Sequence, residues 1–251
     1  MERFLPCIFS YQPRWVWCIK RHPFSPFTED TRLNKLVRTH DPFDGDVFKK
    51  IIKAIRLDGY IVLTDFLPPD MLNSLFLDLK ARDSEEFDRA GTGREEHFRL
   101  NKFVRSDRIC WIDESSPATR QYLDWMEQFR LRINQALYLG LFDYECHYAY
   151  YPKNGFYRKH LDALKGKTNR VLSTVLYLNP NWQASDGGEL IMYSEDDDVP
   201  MLRILPTWGK MVIFLSEYFP HEVLPANQRR FSLTGWFRVN TNIGARLDPP
   251  A

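Results

Sequence analysis

The sequence predicts an α+β fold, with helices gathered in the N-terminal half and an antiparallel β core in the C-terminal half. Two observations carry this. Before residue 140, apolar residues recur at helical spacing in three stretches. After about residue 145 that period gives way to short β-branched and aromatic runs separated by glycine, proline and asparagine. A half so broken by turns is the mark of a sandwich or barrel, which the preceding helices can cover on one face.

The first stripe, Val47, Phe48, Ile51, Ile52 and Ile55, predicts an amphipathic helix that opens with Asp46 as its N-cap and closes at Gly59. Residues 60–66 (YIVLTDF) are β-branched and aromatic and predict a strand. Two prolines and Asp70 as a cap open a second helix carrying Met71, Leu72, Leu75, Phe76 and Leu79. Residues 82–107 are polar, hold Gly91 and Gly93 near their middle, and read as a long mobile connection that gates a site. Ser116 as N-cap and Pro117 at the first helical position introduce the best-marked helix, with Tyr122, Trp125, Met126, Phe129, Ile133 and Leu137 on one face. The β runs follow: CHYAYY at 146–151, VLSTVLYL at 171–178, GGELIMY at 187–193, MLRILP at 201–206, KMVIFL at 210–215 and RFSLTGWFRV at 230–239. A chain of 251 residues fits one domain with a large core. The expected division is an extension of unspecified structure over 1–40 and a single domain over 41–251, with helical support at 41–140 and the β core at 145–240.

Apolar residues make up 44% and charged residues 27%, the composition of an ordinary water-soluble globular protein. A formal net charge of +1 argues against nucleic acid or an anionic membrane as partner. Cys7, Cys18, Cys110 and Cys146 are widely spread with no CxxC pair, which fits a reducing cytoplasm. Near the N-terminus the apolar residues are interrupted by Pro6, Pro13 and Arg14, too short for a leader or a membrane span.

Two imidazoles and one carboxylate on one face of an octahedral iron leave three adjacent positions open. His160-Leu161-Asp162 supplies a close pair, since residues i and i+2 of an extended segment point the same way. His221 follows 59 positions after Asp162, beyond the KMVIFL strand and its tail SEYFP. The triplet alone is a weak signal in a chain with six histidines. Arg230 strengthens it: nine residues after His221, it offers a permanent, forked cation for the far carboxylate of a metal-chelating dicarboxylate. Strand alternation puts Arg230, Ser232, Thr234 and Trp236 on one face, and Arg229, Phe231, Leu233 and Phe237 on the other. The apolar face suits helix packing, which turns Arg230 and Thr234 to the site. His22, His40, His97 and His147 have no spacing partner and read as structural or surface residues.

The stretches YYPKNGFYRKHLD (150–162), NRVLSTVLYLNPNW (169–182), DGGEL (186–190) and FPHEVLPANQRRFSLTGWF (219–237) resemble the prolyl hydroxylase branch of the Fe(II)/2-oxoglutarate oxygenases, the group of the hypoxia-factor prolyl hydroxylases and their bacterial relatives. The likeness extends upstream to RSDRICWID (105–113) and DGYIVLTDFL (58–67), so it spans about residues 45–240. It implies a double-stranded β-helix (jelly-roll) core. His160, Asp162 and His221 would be the iron ligands, and Arg230 the anchor of the 2-oxoglutarate C5 carboxylate, with Tyr177 and Thr234 beside it. Tyr151, Tyr157 and Trp236 would line the pocket. Arg105 and Asp107 would form a substrate-side pair on the mobile loop, with Arg170 as the partner that Asp107 engages. The cofactors implied are Fe(II), 2-oxoglutarate and O2, with ascorbate as reductant, and the partner is a protein with a target proline hydroxylated at C4. Departures fall in YPKNGFYRKH, one residue shorter than the related pattern, and in 87–106, both substrate-facing in the family. Two alternatives stay open: an oxygenase of the same superfamily acting on a nucleic acid or small molecule, and a metal-binding regulatory module without turnover. Asp162 in place of a halide argues against a halogenase.

Overall fold

The first helix, α1 (Gly45–Leu57), buries Val47, Ile51 and Ile55, the stripe expected of it. It starts two residues early, at Gly45, so Asp46 lies in the first turn, 3.6 Å from Lys49, and is not the cap. It ends where the N–H groups of Asp58 and Gly59 both reach Ala54 O, at 2.8 and 3.0 Å, with Gly59 at φ +78°. A side chain there would also meet the Phe219 ring at 2.9 Å. β1 (Tyr60–Leu63) is shorter than its apolar run, because Asp65 turns the chain at φ +57°. In α2 (Pro69–Ala81) Pro68 holds the cap position and Asp70 sits in the first turn. Proline at the first helical position fixes the start before Asp70 can cap it. α3 (Pro117–Leu137) begins as expected: Ser116 Oγ accepts from Thr119 N at 3.1 Å, and Thr119 Oγ1 accepts from Ser116 N at 3.3 Å.

The computed structural model describes residues 45–83, 85–89, 104–164, 168–194, 199–240, 242–243 and 246–247. The extension at 1–40 and the middle of the 82–107 connection lie outside the described residues. Among those described, no helix is long and apolar enough to cross a membrane.

The strands are β2 (Asp88–Arg89), β3 (Arg108–Trp111), β4 (Leu141–Tyr151), β5 (Tyr157–His160), β6 (Arg170–Tyr177), β7 (Leu190–Tyr193), β8 (Pro200–Ile204), β9 (Met211–Leu215), β10 (His221–Val223), β11 (Arg230–Val239), and the short β12 (Asn242–Ile243) and β13 (Arg246–Leu247). β11 matches its predicted run from end to end. β4 starts well before residue 146, and β7 starts only at Leu190, because Gly187 and Gly188 turn at φ +67° and +69°. His221 does not end the β9 segment. It opens its own strand, β10, in the other sheet.

A seven-stranded sheet runs β1-β9-β6-β11-β4-β3-β2, and a four-stranded sheet runs β5-β10-β7-β8. Together they form the jelly-roll core. One apolar cluster lies between the larger sheet and the helices, and includes Leu233 and Phe237 of β11 with Tyr122, Met126, Phe129 and Ile133 of α3. Each of these α3 side chains is fully buried, a gain of roughly 1.5–3 kcal/mol apiece for aliphatic and aromatic groups of this size. The second cluster, with Tyr151, Val175, Tyr177, Leu190, Met192, Phe214 and Val223, fills the space between the sheets. Odd and even residues of one strand thus serve two cores, and the polar members of the inner set face the sandwich interior.

Candidate metal centre

β5 and β10 pair antiparallel with His160 directly opposite His221, and Asp162 follows two residues beyond His160. Ligand atoms of the three side chains all lie within 4.8 Å of one another. Nε2 of His160 and Nε2 of His221 stand 3.6 and 3.7 Å from the same oxygen, Asp162 Oδ1. The other ring nitrogens are engaged: Nδ1 of His160 lies 2.8 Å from Arg158 O, and Nδ1 of His221 lies 2.9 Å from Phe219 O. A carbonyl only accepts, so each Nδ1 carries the proton and each Nε2 turns a lone pair to the centre. Burial pushes the His221 imidazole down to about 4, which keeps it neutral. Burial would raise the Asp162 carboxyl, but the His221 and His160 rings and the Ser173 hydroxyl hold it well below the usual carboxylate range. Two imidazole nitrogens and one anionic oxygen converging on one point suit a non-haem Fe(II) with open positions. Tyr157 stacks on His160 at 3.6 Å between ring centroids.

Across the interior, Arg230 is 1% exposed, and its Nε donates to Gly188 O at 2.9 Å. Its guanidinium lies over the rings of Tyr151 and Tyr177, at 4.9 and 5.1 Å. Arg230 Nη2 and Tyr177 Oη are buried without a hydrogen-bond partner at proper geometry. Burial pushes the Tyr177 phenol up to about 12 against the pull of Arg230, so it remains a donor. A buried cation and a buried phenol with idle donors are costly alone, and a carboxylate would satisfy both. In register, Thr234 lies opposite His147 and Val175, and Trp236 opposite Glu145 and Ser173. Trp236 Nε1 is a further buried donor without a partner. Arg229, one residue from Arg230, is exposed.

Arg105 and Asp107 form a forked pair at 2.8 and 2.6 Å, with Asp107 3% exposed. Arg105 also lies 4.2 Å over the Tyr157 ring. The pair is packed against the stack on His160, each charge neutralising the other out of water. The carboxylate that Arg170 grips is Glu145, at 2.9 and 2.8 Å, where Asp107 was expected. Its guanidinium covers the Trp236 ring at 3.6 Å. The sequence reading missed Ser173, whose hydroxyl donates to Asp162 Oδ2 at 2.6 Å, and the Gly188 carbonyl that holds Arg230. It also set aside His147, which is buried between Trp111 and Trp236 at 5.2 and 5.4 Å. Alternation along β4 was a usable signal, since it puts His147 on the face of Tyr151.

A family model described as the 2OG-Fe(II) oxygenase superfamily matches residues 146–238. Among solved structures, the chain is similar to a Pseudomonas putida prolyl-4-hydroxylase, with 42% identity, a TM-score of 0.69, and coverage of 76% of this chain and 98% of that one. It is 30% identical over 213 residues to the hypoxia-inducible factor prolyl hydroxylase of Caenorhabditis elegans, covering 76% of this chain and 28% of that protein. It is 26% identical over 197 residues to human Egl nine homolog 1, covering 74% of this chain and 45% of that protein. The chain spans less than half the length of these two relatives.

Proposed function

The chain belongs to the 2OG-Fe(II) oxygenase superfamily, and from that premise we propose that it hydroxylates a prolyl residue of a protein substrate, at C4, with release of succinate and CO2. One observation carries the reading. A cluster of two imidazoles and a carboxylate shares an interior with a buried arginine that has an idle Nη2 and, among the described residues, no carboxylate partner. The family implies Fe(II), 2-oxoglutarate and O2, and the residues present fit them.

On this reading His160, Asp162 and His221 hold the metal. Bound Fe(II), with 2-oxoglutarate and O2, supplies the oxidising equivalent that puts one oxygen atom into an unactivated C–H bond. The protein binds, orients and shields. Arg230 and Tyr177 take the distal carboxylate, Thr234 adds a hydroxyl nearby, and Tyr151 and Trp236 wall the pocket. The charges balance: a divalent cation and Arg230 meet Asp162 and a dianion, which makes their joint burial tolerable. Arg105, Asp107 and Tyr157 face the polypeptide. Ascorbate serves as reductant, and a reducing cytoplasm suits the free thiols of Cys110 and Cys146.

The test is direct. Protein loaded with Fe(II) under anaerobic conditions is given 2-oxoglutarate, O2 and a cell lysate, and peptides gaining one oxygen atom on proline are sought by mass spectrometry. Succinate release with the new oxygen on other residue types would refute the prolyl assignment. No succinate from wild type would refute the enzyme itself.

A further inference from the structure

Resting on the reading of His160, Asp162 and His221 as the metal ligands, we infer that Ser173, backed by Ser216, is a positioning residue that keeps only Oδ1 of Asp162 turned to the metal. The two carboxylate oxygens have different surroundings. Oδ1 faces both histidine Nε2 atoms, whereas Oδ2 accepts the Ser173 hydroxyl at 2.6 Å. Ser173 Oγ is in turn 2.9 Å from Ser216 Oγ, and both serines are fully buried.

A hydroxyl has one proton. Ser173 spends its proton on Asp162, so the shared proton of the serine pair comes from Ser216. The chain of donors therefore runs one way, Ser216 to Ser173 to Asp162, and ends on the anion. Hydrogen bonds to a charged acceptor are the stronger kind, and burial removes the water that would compete.

The path also crosses the fold. Ser173 stands on β6 with Trp236 and Phe214 as its register partners, and Ser216 follows β9 directly. Ser216 N–H donates to Val171 O at 2.9 Å. A few residues on, Phe219 O holds the His221 ring, so one connection supports two of the ligands. With Oδ2 occupied, the carboxylate binds through one oxygen and leaves the adjacent metal positions free. Released, it could rotate or chelate through both oxygens.

The test uses Mn(II) alone as the probe, followed by its free-ion electron paramagnetic resonance signal, beside thermal unfolding of the metal-free protein. Supporting partners of metal ligands change affinity by about 10–100-fold when removed, so Ser173→Ala should weaken Mn(II) binding at least about tenfold. Ser173→Thr, which restores the hydroxyl, should return it to within about threefold of wild type, with unfolding temperatures of all three close together. Ser173→Ala binding Mn(II) like wild type would overturn the inference, and so would a threonine variant as weak as the alanine one, since the loss would then belong to packing. Should Ser173→Ala not fold, Ser216→Ala carries the test: a severalfold loss is expected, and an unchanged affinity counts against the relay. Failure of wild type to bind Mn(II) would instead strike the metal centre itself.

Discussion

Arg230 is the residue whose replacement separates affinity from stability. Arg230→Met keeps much of the volume and removes the fork. The guanidinium is 1% exposed and bonded to Gly188 O, with Nη2 buried and idle. Taking away a buried charge without a counter-charge costs the folded state little, and replacing such a group with an apolar one is often neutral or stabilising. With the cosubstrate bound the balance reverses, because the distal carboxylate would be left buried and unpaired. That loss is about 2–5 kcal/mol, or about 30-fold to several thousand-fold in Kd. The assay is anaerobic calorimetric titration of 2-oxoglutarate into Mn(II)-loaded protein, with thermal unfolding recorded with and without ligand. Arg230→Met should unfold within a few degrees of wild type when ligand-free and lose the ligand-induced rise. Arg229→Met, at the exposed neighbouring position, should bind normally. Equal losses for the two variants, or a loss under tenfold for Arg230→Met, would refute the anchor.

Burial, with Arg105 and Arg170 nearby, keeps the His147 imidazole neutral down to about 4, whereas in the unfolded chain it takes a proton near 6.5. Between those values the unfolded state holds more protons, so stability falls as pH falls, by up to roughly 3 kcal/mol from this group. Unfolding of His147→Met should show a flatter pH profile over that window, and an unchanged slope would remove His147 as its source. Ser116→Ala breaks the α3 capping box and should cost about 1 kcal/mol, a fall of about 2–4 °C in Tm by calorimetry. Arg105→Ala should depress polypeptide hydroxylation more than uncoupled 2-oxoglutarate turnover. Equal losses in both assays would place Arg105 in service of the metal through the Tyr157 and His160 stack.

How much of this was legible in the sequence depended on length and alternation. β11 could be read whole because ten residues alternate between a polar, site-facing set and an apolar, helix-facing set, and that register alone separates Arg230 from Arg229. β5 and β10 could not, because strands of four and three residues are too short to show a period. His221 was thus assigned to the tail of the preceding strand, although its chemistry was recognised. Arg105 and Asp107 sit in a polar stretch that suggested mobility, while their mutual pairing is what allows them to be packed. Asp46 and Asp70 are good capping residues in the wrong place, since Gly45 and Pro69 set the helix starts. Ser173 lies in an apolar run, where a serine gives no sign of the carboxylate it meets from the segment after β5.

The two halves of the site belong to different sheets. His160 and His221 ride on β5 and β10 of the smaller sheet, whereas Arg230 and Tyr177 ride on β11 and β6 of the larger one. On the proposed reading, the gap between metal and carboxylate anchor is then fixed by the thickness of the sandwich, about 10 Å between facing backbones in such folds. On that reading the fold would act as a caliper for diacids, gauging their length with its own core. Phe214 and Val212 reach inward from the larger sheet, and Leu190 and Val223 from the smaller. On the proposed reading these side chains would help to set which dicarboxylate fits. Trimming them should shift preference among diacids of different length before it abolishes binding.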